Sequence, residues 1–103
     1  MNQNINNTIT KEHIEKYIEI SRKALKKAKI AVPKKTHFYK IAEDALDMAK
    51  RYIEDAEHFK NKKDYVRALS AVNYAHGWLD SIARQGYINV DYDSTLFTID
   101  DLE

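Results

Sequence analysis

Apolar and small residues recur every three or four positions along three stretches of this chain, which is the spacing of one side of an α-helix. The clearest stretch runs from Asp64 to Gly86 and holds the only tryptophan and both glycines. Its stripe consists of Tyr65, Ala68, Leu69, Val72, Ala75, His76, Leu79, Ile82 and Ala83. Asp64 is a favourable N-cap residue and Gly86 a favourable residue just past a C-terminus, so we predict a helix over about 65–85.

Two further amphipathic stripes precede this helix. They predict helices over about 11–30, capped by Thr8 or Thr10, and over about 37–59, capped by Thr36. Pro33, the only proline, separates them because it removes a backbone donor and biases Val32 away from helical geometry. Three helices joined by short polar connections predict an all-α, three-helix up-and-down bundle over residues 10–86.

The two ends of the chain lack such a stripe. Residues 1–9 are mostly polar and predict a flexible N-terminal arm. Residues 87–103 alternate apolar and polar side chains at first, but the sequence offers no partner for a strand, so we predict an extended acidic tail against the bundle. The alternative is a loose tail that serves as a docking peptide.

Composition narrows the class of protein without indicating an activity. The 103 residues suit one domain, and 17 basic against 16 acidic side chains give a net charge of only +1. The absence of cysteine excludes disulfides, thiolate metal sites and a cysteine nucleophile. Because no apolar run reaches the length of about 20 residues that spans a bilayer, and the start does not resemble a signal peptide, we expect a cytoplasmic protein with no membrane partner.

The positive charge is concentrated in one tract. Seven cations fall within fourteen residues, without an acid among them: Arg22, Lys23, Lys26, Lys27, Lys29, Lys34 and Lys35. Such a tract can follow a phosphate backbone. No aromatic residue is interleaved to stack on bases, however, and lysine-rich helix ends are common solvated surfaces. Binding of nucleic acid is therefore an alternative, and not the favoured reading.

One motif in the third predicted helix carries a family resemblance. The run Tyr-Ala-His-Gly-Trp-Leu-Asp at 74–80, followed by Arg-Gln-Gly at 84–86, resembles a small archaeal family of proteins of unknown function. Ala56, Phe59, Asp64, Ala68 and Leu69 fit the same pattern. The resemblance covers about 36–90 well and the first helix loosely. It implies a left-handed three-helix up-and-down bundle and supplies no activity.

The strongest chemical pair in the sequence is His76 and Asp80, four residues apart on one helix. Both could reach one metal ion, and Asn73 lies on the same side. A metal site needs three or four convergent ligands, so we expect none and no cofactor. Hydrolysis with His76 as general base and Asp80 as its orienting partner would also need a nucleophile or a water site. We therefore expect no enzyme.

Gly77 is unusual because glycine inside a helix costs roughly 1 kcal/mol relative to alanine. We predict that a side chain of the first helix, or the tail, crosses the third helix closely at this point. The alternative is that Gly77 opens a slot between Tyr74 and Trp78, which could grip a ligand or a peptide. We favour packing, with these two aromatic side chains against the first helix or against Leu96 and Phe97.

These observations favour a non-enzymatic module that binds a protein partner through the third-helix aromatic surface at Tyr74 and Trp78, through the C-terminal tail with Phe97, or through both. The partner is unknown, and a homo-oligomer is possible. The alternative from another class is a nucleic-acid-associated accessory protein that binds through the basic tract at 22–35. An enzyme is the third hypothesis.

Overall fold

The computed structural model describes residues 6–90, which form three helices and one two-stranded sheet. The elements are α1 (Lys11–Lys27), β1 (Lys29–Ile30), α2 (His37–Asn61), α3 (Tyr65–Arg84) and β2 (Ile88–Asn89). The predicted all-α bundle is confirmed, with α2 and α3 as the most extensively packed pair and α1 against both. None of the helices within residues 6–90 is long and apolar enough to cross a membrane. The predictions for residues 1–5 and 91–103 lie outside the described residues.

Each helix begins where the sequence predicts a cap. The side-chain oxygen of the capping residue accepts a hydrogen bond from a backbone N–H three positions later: Thr10 from His13, Thr36 from Tyr39 and Asp64 from Arg67. Helix α3 ends at Arg84 and is followed by the C-cap Gln85 and by Gly86, whose φ of 79° is a conformation that glycine adopts without strain. The N–H of Gly86 donates to Ala83 and that of Tyr87 to Ile82, which is the Schellman pattern of a helix end.

The prediction for the end of the first helix is wrong. Helix α1 ends at Lys27 and not near residue 30, because Lys29–Ile30 pairs antiparallel with Ile88–Asn89. The N–H of Ala31 extends the pairing by donating to the carbonyl of Tyr87 at 2.9 Å. The expectation that no strand partner exists after residue 87 is therefore also wrong. Pairing satisfies the backbone groups of both segments at this end of the bundle and buries Ile88.

The core is rich in alanine and forms two clusters along the bundle. One lies at the end capped by the strands and includes Ala45, Leu79, Ile82, Ile88 and Val90. The other joins α1 to the C-terminal half of α2 and the N-terminal half of α3, and includes Ile14, Ile18, Ile53, Ala68 and Val72. Small side chains let α2 and α3 pack closely. Helix α3 contributes to both clusters and faces both other helices, so a groove runs along each of its two sides.

Candidate interaction grooves beside the third helix

The first groove, which we name the α2–α3 groove, is lined by residues of these two helices alone. It contains a cavity of about 400 Å³ next to Tyr52, Phe59 and Tyr74. A second cavity, of about 330 Å³, lies next to Ile41, Ala45 and Trp78. Tyr74 lines the first cavity and Trp78 the second, and the two rings contact each other because they are four residues apart on one helix.

Tyr74 is the exposed aromatic side chain of this groove. It is 51% exposed, yet its ring packs edge-on against Tyr52, with 4.5 Å between the ring centroids. A second edge-on contact joins Tyr74 to Trp78 at 6.2 Å. We predicted that Tyr74 contacts the first helix or Leu96 and Phe97. Its ring contacts within residues 6–90 are instead with α2 and with α3 itself.

Trp78 belongs largely to the core. Its ring is partly buried and packs against the cluster at the strand-capped end, while the predicted contacts with Leu96 and Phe97 lie outside the described residues. Its indole Nε1–H is buried and has no hydrogen-bond acceptor among the described residues. A buried donor without an acceptor is uncommon, since leaving it unpaired costs free energy. Trp78 is therefore the partly buried side chain in the wall of the α2–α3 groove, and Tyr74 is its exposed side chain.

The second groove, which we name the α1–α3 groove, lies on the opposite side of α3. One cavity of about 380 Å³ is lined by Tyr17, Ile20, Gly77 and Asp80, among others. A second cavity of about 390 Å³ continues it toward the N-terminus of α1. Tyr17 and Asn73 line both cavities, so the groove is continuous along the middle of α3.

Gly77 lies in the floor of the α1–α3 groove. A Cβ atom added to it would meet no heavy atom of residues 6–90 within 4 Å. The predicted close crossing by helix α1 is therefore wrong. The predicted slot between Tyr74 and Trp78 is also wrong, because Gly77 lines the groove on the other side of α3. The remaining prediction, a crossing by the tail, lies outside the described residues.

A chain of polar contacts joins α1 to α3 beside Gly77. The hydroxyl oxygen of Ser21 lies 3.3 Å from Nδ1 of His76, and Nε2 of His76 lies 3.6 Å from a carboxylate oxygen of Asp80. The order of residue types is that of a serine hydrolase, but only 2% of Ser21 is exposed where it lines the cavity beside His76 and Asp80. The contacts satisfy a hydroxyl buried between two helices.

The two weak metal candidates remain a pair. His76 and Asp80 face each other, and no three His, Asp or Glu side chains within residues 6–90 are grouped as metal ligands would be. A pair supplies fewer ligands than a structural or catalytic metal site requires. We therefore base no chemistry on a metal at this position.

The basic tract is spread over three elements. Arg22, Lys23, Lys26 and Lys27 belong to the last turns of α1, Lys29 to β1, and Lys34 and Lys35 to the connection before α2. Successive helical residues point about 100° apart, so the cations on α1 fan around its outer side. Among them, the guanidinium of Arg22 lies 3.0 Å from a carboxylate oxygen of Glu57, and the ammonium of Lys23 lies 4.0 Å from a carboxylate oxygen of Glu19.

Glu57 is the carboxylate that holds α1 against α2 at this point. It accepts hydrogen bonds from Lys60 at 2.8 Å and from Arg22 at 3.0 Å. The hydrogen bond from Lys60 lowers the pKa of the Glu57 carboxyl below its ordinary value, and Arg22 adds to this effect, while partial burial opposes it. The ion pair therefore has a structural role between two helices.

Comparison with known proteins supplies a family and no activity. The family model described as "Protein of unknown function (DUF357)" matches residues 16–88, which is most of the chain. The chain belongs to the DUF357 family. The match includes both grooves, since it covers most of α1 and all of α2 and α3. Neither a curated protein nor a solved structure matches this DUF357 chain significantly.

Sequence reasoning missed two residues that shape the grooves of this DUF357 protein. Tyr52 is not among the predicted site residues, yet its ring supports the exposed Tyr74. Ser21 is not among them either, yet it is the buried partner of His76. The available signal was that Ser21 and His76 are polar residues at core positions, because such residues are usually hydrogen-bonded to one another or to backbone.

Proposed function

We propose that this DUF357 protein is a non-enzymatic interaction module that holds an amphipathic helix of a protein partner in the α2–α3 groove. The observation that carries the proposal is Tyr74, a half-exposed aromatic ring held edge-on by Tyr52 beside a cavity. Aromatic side chains dominate the binding energy of protein interfaces because they bury a large area with little loss of side-chain freedom. A ring already fixed by its neighbour loses even less on binding.

The shape of the groove supports a helical partner. Two neighbouring helices leave a furrow between them, and α1 occupies the furrow on only one side of the α2–α3 pair. A helix placed in the α2–α3 groove would complete a four-helix arrangement, with apolar side chains in the cavities next to Tyr74 and Trp78.

Charged side chains of both signs line the margins of the groove. Lys40 and Asp44 line the cavity next to Trp78. Asp55 and Arg67 line the cavity next to Tyr74. Both signs are present at both ends, so the margins suit a partner with mixed charges. Margin charges of this kind fix register and orientation more than they add affinity. Phe97, the third predicted contact residue, stays a prediction.

The experiment uses Tyr74→Ala because the side chain is exposed and its loss leaves the core intact. Tagged wild-type and variant proteins are used to capture partners from lysate of the source organism, with and without nuclease, and retained proteins are identified by mass spectrometry. We expect a nuclease-resistant partner that Tyr74→Ala loses. The matched control is Val66→Ala, which removes a 67% exposed side chain of the same helix that lines neither groove.

A photo-crosslinking amino acid at position 74 then tests the stated chemistry of the partner. We expect crosslinks to one amphipathic segment of the captured protein, and a synthetic peptide of that segment becomes helical on binding. A partner that Tyr74→Ala still captures at wild-type level contradicts the proposal. Crosslinks only to a second copy of the chain would show a homo-oligomer and would contradict a separate protein partner.

Nucleic-acid binding is the second candidate, because Lys26, Lys29, Lys34 and Lys35 are exposed near one end of the bundle. Phosphate contacts by lysine weaken steeply with salt, so retention of RNA or DNA is measured at low and moderate salt. The variant changes Lys23, Lys26, Lys27 and Lys29 to Gln. Unchanged retention at low salt rules out the basic tract as the binding surface.

A further inference from the structure

The starting observation is that Gly77 is open on its outer side. It lies in the middle of α3, where alanine is the more favourable residue, and no atom of residues 6–90 explains the absence of a side chain. A helix floor without a Cβ atom lets another segment approach the backbone closely. The α1–α3 groove around Gly77 therefore has the form of a seat for a segment of chain.

The walls of this seat combine apolar and polar side chains, which suits a segment that carries both kinds of side chain. The polar ones are Asn73, His76 and Asp80. Tyr17 and Ile20 line it from α1, and Val72 lines it from α3. Leu69 adds an apolar contact in the lower cavity. Tyr17 is itself substantially exposed, so part of the wall remains uncovered by residues 6–90.

The chain leaves the described region at the mouth of the same groove. In the sheet, β1 contacts α2 and β2 contacts α3, so Ile88 to Val90 lie on the α3 side. The chain runs away from the end of α1 along β1. Because β2 is antiparallel to β1, the chain at Val90 runs back toward α1. It is therefore directed between α1 and α3.

Thirteen residues follow Val90, at positions 91–103. Fully extended, they span about 40 Å, whereas α3 from Arg84 to Leu69 rises only about 22 Å. The segment contains Leu96, Phe97, Ile99 and Leu102, and it carries five acidic side chains and no basic one. Lys27 lies seven positions after Ile20 on α1, and Arg84 lies seven positions after Gly77 on α3. Residues seven positions apart lie on the same side of a helix, so both cations lie near the mouth of the groove. Asp91 and Asp93 follow Val90 in the sequence.

We propose that the C-terminal segment 91–103 binds along the α1–α3 groove of its own chain, with Leu96 or Phe97 over Gly77. The reach, the direction of the chain at Val90 and the charge at the mouth favour this occupant over a separate partner. The proposal does not depend on the α2–α3 groove, which lies on the other side of α3. It removes Phe97 from the set of residues that are available to a partner.

The test is amide hydrogen exchange of the full-length protein, measured by nuclear magnetic resonance at two protein concentrations. We expect the amides of residues 96–99 to exchange at least about tenfold more slowly than in an unstructured chain. Gly77→Ala places a methyl group under the segment, and we expect it to reduce this protection about fivefold or more. The matched control is Ser70→Ala, an exposed α3 position in the other groove, which leaves the protection unchanged.

A second variant changes the C-terminal segment, and its effect is measured on residues of the groove. Phe97→Ser in the full-length protein is expected to shift the amide signals of Asn73 and Gly77 and to leave that of Arg67, in the other groove, in place. Three results overturn the proposal: exchange of residues 96–99 at unstructured rates in the wild type, protection that Gly77→Ala leaves unchanged, or protection that rises with concentration. The last would identify a second copy as the occupant.

Discussion

The two sides of α3 are built by opposite means. In the α2–α3 groove, large rings protrude and support one another, with Tyr74 against Tyr52 and Trp78 against the core. In the α1–α3 groove, side chains are missing or small at Gly77 and Ser21, and polar contacts hold the helices together. The α2–α3 groove therefore presents protruding aromatic rings, and the α1–α3 groove presents a hollow. One amphipathic helix therefore borders two grooves of different kinds.

The largest effect on stability is expected from Trp78→Ala, which tests whether this side chain belongs to the core. The ring packs against the core at the strand-capped end, so its loss leaves a cavity and we expect the free energy of unfolding to fall by about 3 kcal/mol. Urea denaturation followed by circular dichroism measures this change. A loss below about 1 kcal/mol would show that Trp78 belongs to the surface and not to the core. Because of this cost, Tyr74 is the better position for testing binding.

The support of Tyr74 by Tyr52 is tested with a double-mutant cycle. The single variants Tyr52→Leu and Tyr74→Leu and the double variant keep an apolar side chain while they remove the edge-on contact. We expect a coupling free energy of about 1 kcal/mol from urea denaturation. Additive effects would mean that the rings do not stabilise each other, and the fixed shape of the α2–α3 groove would lose its basis.

On the other side of α3, Ser21→Ala removes the polar link to His76. We expect the free energy of unfolding to fall by up to about 1 kcal/mol, because the hydroxyl is buried and its hydrogen-bond partner is left without it. Ser70→Ala, at an exposed position, is the control and should stay within about 0.5 kcal/mol of the wild type. A gain in stability for Ser21→Ala would show that the contact contributes nothing between α1 and α3.

The smallest expected effect concerns the third side of the bundle, where Glu57 joins α2 to α1. Because the pKa of Glu57 is lowered in the folded protein, its ion pairs contribute stability above the unfolded pKa and lose it as the pH falls through the folded pKa. We expect Glu57→Gln to cost about 0.5 kcal/mol at pH 7. The difference from the wild type should shrink as the pH falls below about 4.5. A difference that stays constant with pH would contradict the charge effect.

The sequence alone determined the helices and most of their ends. Stripes with a period near 3.6 predict amphipathic helices, and Thr10, Thr36, Asp64 and Gly86 mark boundaries because caps act through local backbone hydrogen bonds. Membership of a family of unknown function was also predicted from the sequence, and the family match over residues 16–88 agrees with it. These features depend on neighbours in sequence, so one chain without relatives is sufficient to find them.

Only the tertiary structure decided which neighbouring helix or strand packs against each edge of an apolar stripe. Lys29–Ile30 and Ile88–Asn89 are too short to show alternation, and their pairing depends on the bundle bringing two distant segments together. The same holds for Tyr74, whose partner is a ring on α2, and for Gly77, which proved to face α1 and not the slot between two aromatic rings. A helical stripe gives the buried side of a helix but not which neighbour covers each edge. That choice follows from packing among all three helices, which sequence spacing does not encode.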